Sequence, residues 1–282
     1  MNQPSPEEIL ELARQRIAAR RIAAGQPTRA ERVWGLAFLF LLATLILIFV
    51  LWPGADLEWK LYAAVHGLVA QKHLIFLGEQ PLPLCARNLG IYSSFLISLL
   101  YLWLRGHSRA ASLPPLSLLV TLGAGVLTML VDGVNSVLED TGQTYFYLPR
   151  NDVRTITGAL FGIAITPLIL WVFNHTLRSN PEPERPVLDW SDFGGLLVLN
   201  GLFILLAHSG LALLYWPLAL FGVAGIMSEI FTIFTMVMAA LLGYRRRVFS
   251  LKQLGLPACL ALAPTILFAG GLALFRFASE SW

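Results

Sequence analysis

Seven apolar stretches organise the chain, at 33–52, 84–104, 115–138, 153–174, 194–215, 217–243 and 255–278, with polar or charged segments between them. A helix needs about 18 or more apolar residues to cross the hydrocarbon layer. The pattern therefore predicts an all-α fold, a polytopic membrane helix bundle of about seven transmembrane helices. The second, third and fourth stretches carry polar residues at their ends and give a fainter signal than the first, fifth and sixth. The expected organisation is a 1–32 amphipathic segment, a four-span region over 33–174, a connecting loop over 175–193 and a three-span region over 194–282.

Two segments outside the spans have patterns of their own. Ser5-Pro6-Glu7-Glu8 is a capping box with proline at the first helical position, and Gly25 with Pro27 closes the helix predicted over 5–24. Its thin stripe of Leu10, Ala13, Ile17 and Ala24 beside Arg14, Arg16, Arg20 and Arg21 suits a membrane surface, with a partner-binding helix as the alternative. Residues 53–83 are too polar to span and too apolar to stand free in water. There Asp56 caps a short helix, Trp59 and Tyr62 suit the headgroup level, and the segment is expected to lie over the mouth of the bundle. His66 and His73 within it are read as solvated interfacial residues, with a ligand role for either as the lesser alternative.

Composition agrees with the pattern: 56% of the 282 residues are hydrophobic and 13% charged. Most of the lysine and arginine falls before the first stretch and in the 105–114, 175–193 and 244–254 segments, all on one side of alternating spans. The positive-inside rule then places the N-terminus in the cytoplasm and the C-terminus outside. The expected location is the cell inner (cytoplasmic) membrane, with the first span an uncleaved anchor. The net charge of +3 reflects this bias and implies no nucleic-acid partner. Membrane lipid is the expected contact, with a membrane-protein partner second. Cys85 and Cys259 fall at opposite ends of their spans, so neither a disulfide framework nor a thiolate metal site is expected, and no metal is assigned.

Candidate chemistry begins at Thr128–Glu139. Thr121, Gly125, Thr128, Asp132, Asn135 or Ser136, and Glu139 recur at three- and four-residue steps and form one polar stripe on an oily rod. An aspartate at the centre of a spanning helix costs about 2.5–3.5 kcal/mol and so faces a partner or water. Antiparallel threading brings Asp132 to the depth of Arg87 and Tyr92, and Arg154 is a second cation at the same end. Gly158-x-x-x-Gly162 permits close helix contact. Glu229, near the middle of the sixth stretch, is a second intramembrane carboxyl, with His208 its expected partner by depth.

Pro83-Leu-Cys85-Ala-Arg87-x-x-Gly90-Ile-Tyr92, then Asp132-Gly133, then Arg154-x-x-Thr157-Gly158-x-x-x-Gly162, resembles the bacterial and archaeal membrane family catalogued as domain of unknown function 2085. The resemblance spans roughly residues 62–170 and implies that Cys85, Arg87, Gly90, Tyr92, Asp132, Arg154, Thr157 and Gly158 are shared, with His66 a further match. The family's first motif commonly reads Cys-x-Arg-Cys after a histidine-containing segment. Here Asn88 replaces the second cysteine, leaving a single thiol. The family implies the place of a site and no reaction.

The leading expectation is a polar Arg/Asp/Tyr site at the outer-leaflet end of spans two to four, binding an anionic lipid headgroup or a phosphate-bearing ligand. Its residues are Cys85, Arg87, Asn88, Tyr92, Asp132, Asn135, Arg154 and Thr157, since arginine suits phosphate recognition. The alternatives are a structural or assembly subunit of a membrane complex, and an ion-coupled transporter using Asp132 and Glu229. No hydrolase triad order, metalloprotease motif or phosphate-binding loop occurs, so the question of catalysis stays open and no cofactor is named.

Overall fold

The computed structural model describes residues 26–69 and 71–280. The helix expected over 5–24 lies outside them. Eight α-helices carry the described fold: α1 (Arg29–Leu51), α2 (Leu57–His66), α3 (Ala86–Leu104), α4 (Leu116–Asp140), α5 (Asn151–Thr176), α6 (Trp190–Ala207), α7 (Tyr215–Leu241) and α8 (Gly255–Glu280). Local chemistry sets several starts. Thr28 and Glu31 close a capping box at α1, Asp56 Oδ1 accepts from Trp59 N at α2, and Asp189 Oδ1 accepts from Asp192 N at α6. The fifth apolar stretch stops earlier than expected, because Gly210 turns the chain through a left-handed φ of 72°.

Among the described residues, six helices are long and apolar enough to cross a membrane: α1, α4, α5, α6, α7 and α8. The remaining expected span, α3, has 19 residues but carries Arg87 and Asn88 in its first turn and Ser93, Ser94 and Ser98 further on, which dilute its apolar content. Length and composition thus support six spans where seven were expected. Yet α3 runs the height of the bundle. Its first turn reaches Asp132 near the end of α4, and Arg105, just past its last turn, reaches Asp192 at the start of α6.

Helix α3 packs most extensively against α5, and glycine makes this possible. A Cβ on Gly90 would collide with the backbone carbonyl of Thr155, one on Gly158 with that of Arg87, and one on Gly162 with that of Ile91. The expected small-residue spacing therefore seats α5 directly on the α3 backbone. Helix α1, by contrast, buries no residue.

Two short two-stranded sheets were not foreseen. β1 (Leu74–Leu77) and β2 (Gln80–Cys85) form an antiparallel hairpin that leads straight into α3, with Gly78 supplying the positive φ at its turn. β3 (Ala110–Ser112) and β4 (Glu182–Pro186) pair in parallel at the opposite end, which also carries the basic loops. One apolar cluster, including Val65, Leu82, Leu89, Phe203 and Ile226, fills the hairpin end of the bundle. A second, including Leu102, Leu118, Ile163 and Leu196, fills the other half.

His66 is not the solvated residue expected. It is 1% exposed and stacks on Phe277 of α8, and its ring nitrogens meet Gln71 Oε1 and, at 2.9 Å, Glu280. At the basic end, Arg178 is buried and, among the described residues, has no carboxylate among its hydrogen-bond partners. Its guanidinium donates to the carbonyls of Phe249 and Ser108, tying two loops to the end of α5. Burial, and to a lesser degree the charge of Arg109, pushes its pKa down to about 10, so it stays cationic.

Candidate functional site

The polar stripe of α4 turns inward as its period requires. Asp132 and Asn135 are fully buried and Ser136 nearly so, while Val131, Val134 and Val137 on the other face are exposed. The glycine contacts that seat α5 on α3 place Arg87 and Arg154 on either side of this stripe.

Arg87 donates to Asp132 from Nε (3.1 Å) and Nη2, both to Oδ2, and Nη2 also reaches the Asp132 carbonyl at 2.9 Å. The other carboxylate oxygen accepts from the Tyr147 hydroxyl at 2.7 Å. Thr157 Oγ1 lies 3.4 Å from Oδ2. Ser136 Oγ sits between the two guanidinium groups, accepting from Arg87 Nη2 at 2.7 Å and Arg154 Nε at 3.2 Å. Arg154 then pairs with Glu139 and donates to Asn151 Oδ1 at 3.2 Å. Two cations face two anions, so the cluster is formally neutral. A buried ion pair contributes little net stability when every group is matched, but losing one member strands its partner at about 3–5 kcal/mol.

The 141–150 loop closes the cluster. Asn135 accepts from the backbone N–H of Phe146 (2.7 Å) and donates to the carbonyl of Tyr147 (2.9 Å), holding Tyr147 over Asp132. Burial, then the hydrogen bond to Asp132, pushes the Tyr147 pKa up to about 12, so the phenol remains a donor at neutral pH.

One edge of the Arg87 guanidinium is left over. Among the described residues Arg87 Nη1 has no hydrogen-bond partner, and it lies 3.9 Å from where a Cβ on Gly133 would stand. Gly133 belongs to a shallow apolar groove of about 350 Å³ on the outward face of α4, lined also by Met129, Leu130, Val134, Val137 and Leu138.

The structure brings Arg87, Asp132, Asn135, Arg154 and Thr157 together and sets Tyr92 apart, while Cys85 and Asn88 meet each other at the start of α3. Tyr92 packs on the opposite side of α3, its carbonyl against Gly225 and its ring beside the cluster of Val223 and Ile226. Five residues on a helix turn the side chain by about 140°, so Tyr92 and Arg87 do not share a face. Tyr147, which sequence spacing did not single out, supplies the hydroxyl instead. Cys85 ends β2 just before α3. Burial raises its thiol pKa, opposed first by hydrogen bonding to Asn88 and then by the Arg87 charge. The expected pair of His208 and Glu229 is not formed. His208 Nε2 lies 2.9 Å from Thr155 Oγ1, just past the end of α6. Glu229 stands 14 residues into α7, about 21 Å along its axis. Its Oε2 is buried without a hydrogen-bond partner among the described residues.

Residues 69–168 match the model of a family described as "Predicted membrane protein (DUF2085)". The matched region runs from the segment leading into the hairpin through most of α5 and holds every member of the cluster. It agrees with the resemblance carried by the Cys85–Tyr92, Asp132-Gly133 and Arg154–Gly162 motifs. Neither the curated proteins nor the solved structures contain a match to this chain.

Proposed function

We propose that this multi-pass membrane protein, whose apolar helices contact lipid, holds an anionic lipid at the outer-leaflet end of α3, α4 and α5. The observation that carries the reading is Arg87 Nη1, which has no hydrogen-bond partner among the described residues and lies 3.9 Å from where a Cβ on Gly133, a lining residue of the groove, would stand. The groove accepts an acyl chain, and the guanidinium group donates to the phosphate beside it. Asp132 and Ser136 hold Arg87, with Tyr147 holding Asp132, so that its free edge lies on the Gly133 side. A guanidinium already paired with a carboxylate binds an anion less strongly than a lone one. The site therefore selects a lipid through chain and headgroup together.

A second reading, a structural or assembly subunit, draws on a different observation. Arg154 and Asp132 are enclosed and matched, as a clamp between helices requires. Two variants distinguish the readings. Gly133→Leu fills the groove while leaving all charges in place, and Arg87→Gln removes the donor. Mass spectrometry of lipids retained by the purified chain is expected to show loss of anionic lipid in both. Unchanged lipid retention in Gly133→Leu, with only Arg87→Gln unfolding, would refute lipid binding and leave the clamp.

A further inference from the structure

We propose that His73, Glu139 and Asp140 form a site for a divalent transition-metal ion of the zinc class at the rim of the cluster. Each residue offers one ligand atom, and the three atoms lie within 4.8 Å of one another. His73 Nε2 and Asp140 Oδ1 are 3.0 Å apart. Two ligands on a tetrahedral ion with bonds of about 2.0–2.1 Å stand about 3.3 Å apart, so only small adjustments admit the ion. One imidazole nitrogen and two carboxylates suit zinc-like ions better than calcium or magnesium, which favour all-oxygen shells. The three side chains are about one-third exposed, leaving the fourth position to water.

The framework holds the ligands before the ion arrives. Glu139 and Asp140 are consecutive residues in the last turn of α4, where the negative end of the helix dipole opposes acidic groups and no basic residue of the same turn offsets them. Arg154 Nη2 takes Glu139 Oε2, and among the described residues Oε1 has no hydrogen-bond partner. His73 comes from a different segment and adopts a left-handed φ of 54°, uncommon outside glycine. Its carbonyl accepts from Ala86 N at 3.1 Å, and that of the next residue, Leu74, accepts from Asn151 Nδ2 at 3.0 Å. This conformation delivers the imidazole to the two carboxylates. A bound ion ties the segment before β1 to the end of α4, which in this structure meet directly through His73 and Asp140.

The site is tested on the full chain in detergent, stripped with a chelator and titrated with Zn²⁺ alone by calorimetry. One ion per chain is expected. His73→Ala and Asp140→Asn should each weaken binding by about tenfold or more. His175→Ala, an exposed histidine at the other end of α5, should bind as the parent does. Absence of a saturable site, or equal affinity in the parent, His73→Ala and Asp140→Asn, overturns the assignment. Lipid retention by His73→Ala is expected to match the parent, which keeps this result separate from the fate of the Arg87 groove.

Discussion

His208 shows how much a single side chain can carry at the edge of the membrane. Burial lowers its pKa, with Asp152 pulling weakly the other way. The unfolded chain therefore takes up a proton near the ordinary imidazole value, about 6.5, that the folded ring refuses. The stability His208 contributes is present above that pH and is lost as pH falls through the window below it. A melting series from pH 7.5 to 5 should show this decline in the parent and a flatter profile in His208→Gln. The Arg87–Asp132 pair was legible in the sequence because membrane depth and alternating direction fix which charges can meet. Tyr147 was not, since it reaches Asp132 from a loop, and loops carry no periodicity. Tyr92 was assigned by depth alone, without regard to its angle around the helix. Depth also suggested His208 for Glu229, but α6 ends at Ala207, well above the carboxyl.

At the scale of elements, α3 and α5 behave as one unit because three glycines remove the side chains that would hold them apart. Gly158→Leu forces a side chain into the carbonyl of Arg87 and is expected to cost about 3 kcal/mol or more, read as a collapse of the detergent-solubilised melting transition. Gly123→Leu on α4 meets nothing within 4 Å and should melt as the parent does. The Gly158–Gly162 spacing was visible in the sequence. That Gly90 answers it from α3 was not, because nothing local says which helix receives a small-residue face. The β1–β2 hairpin was missed for a similar reason. Gln80-Pro81-Leu82-Pro83 reads as a break, yet its backbone pairs with a partner only four residues long.

At the scale of the whole molecule, the two ends of the bundle are closed by different chemistry. One end is held by matched charges under the 141–150 loop and by His66 against α8. The other depends on Arg178, whose guanidinium binds backbone carbonyls from two loops. The apolar pattern showed the spans but neither closure, because each is assembled from residues far apart in the chain. Arg87 and Asp132 are separated by 45 positions. That interval has a consequence for biosynthesis. Helix α3 leaves the ribosome with its guanidinium exposed, and among the long helices of the described residues it is the one that falls short of a span by length and composition. Insertion of α3 is therefore expected to await α4, which brings the carboxylate, and α5, which brings the glycine face. Glycosylation sites placed after α3 in chains truncated before and after α5 should report this: with the N-terminus inside, the site is expected to be glycosylated in the shorter chain, where α3 slips through the membrane, and unglycosylated in the longer, where α3 is held as a span.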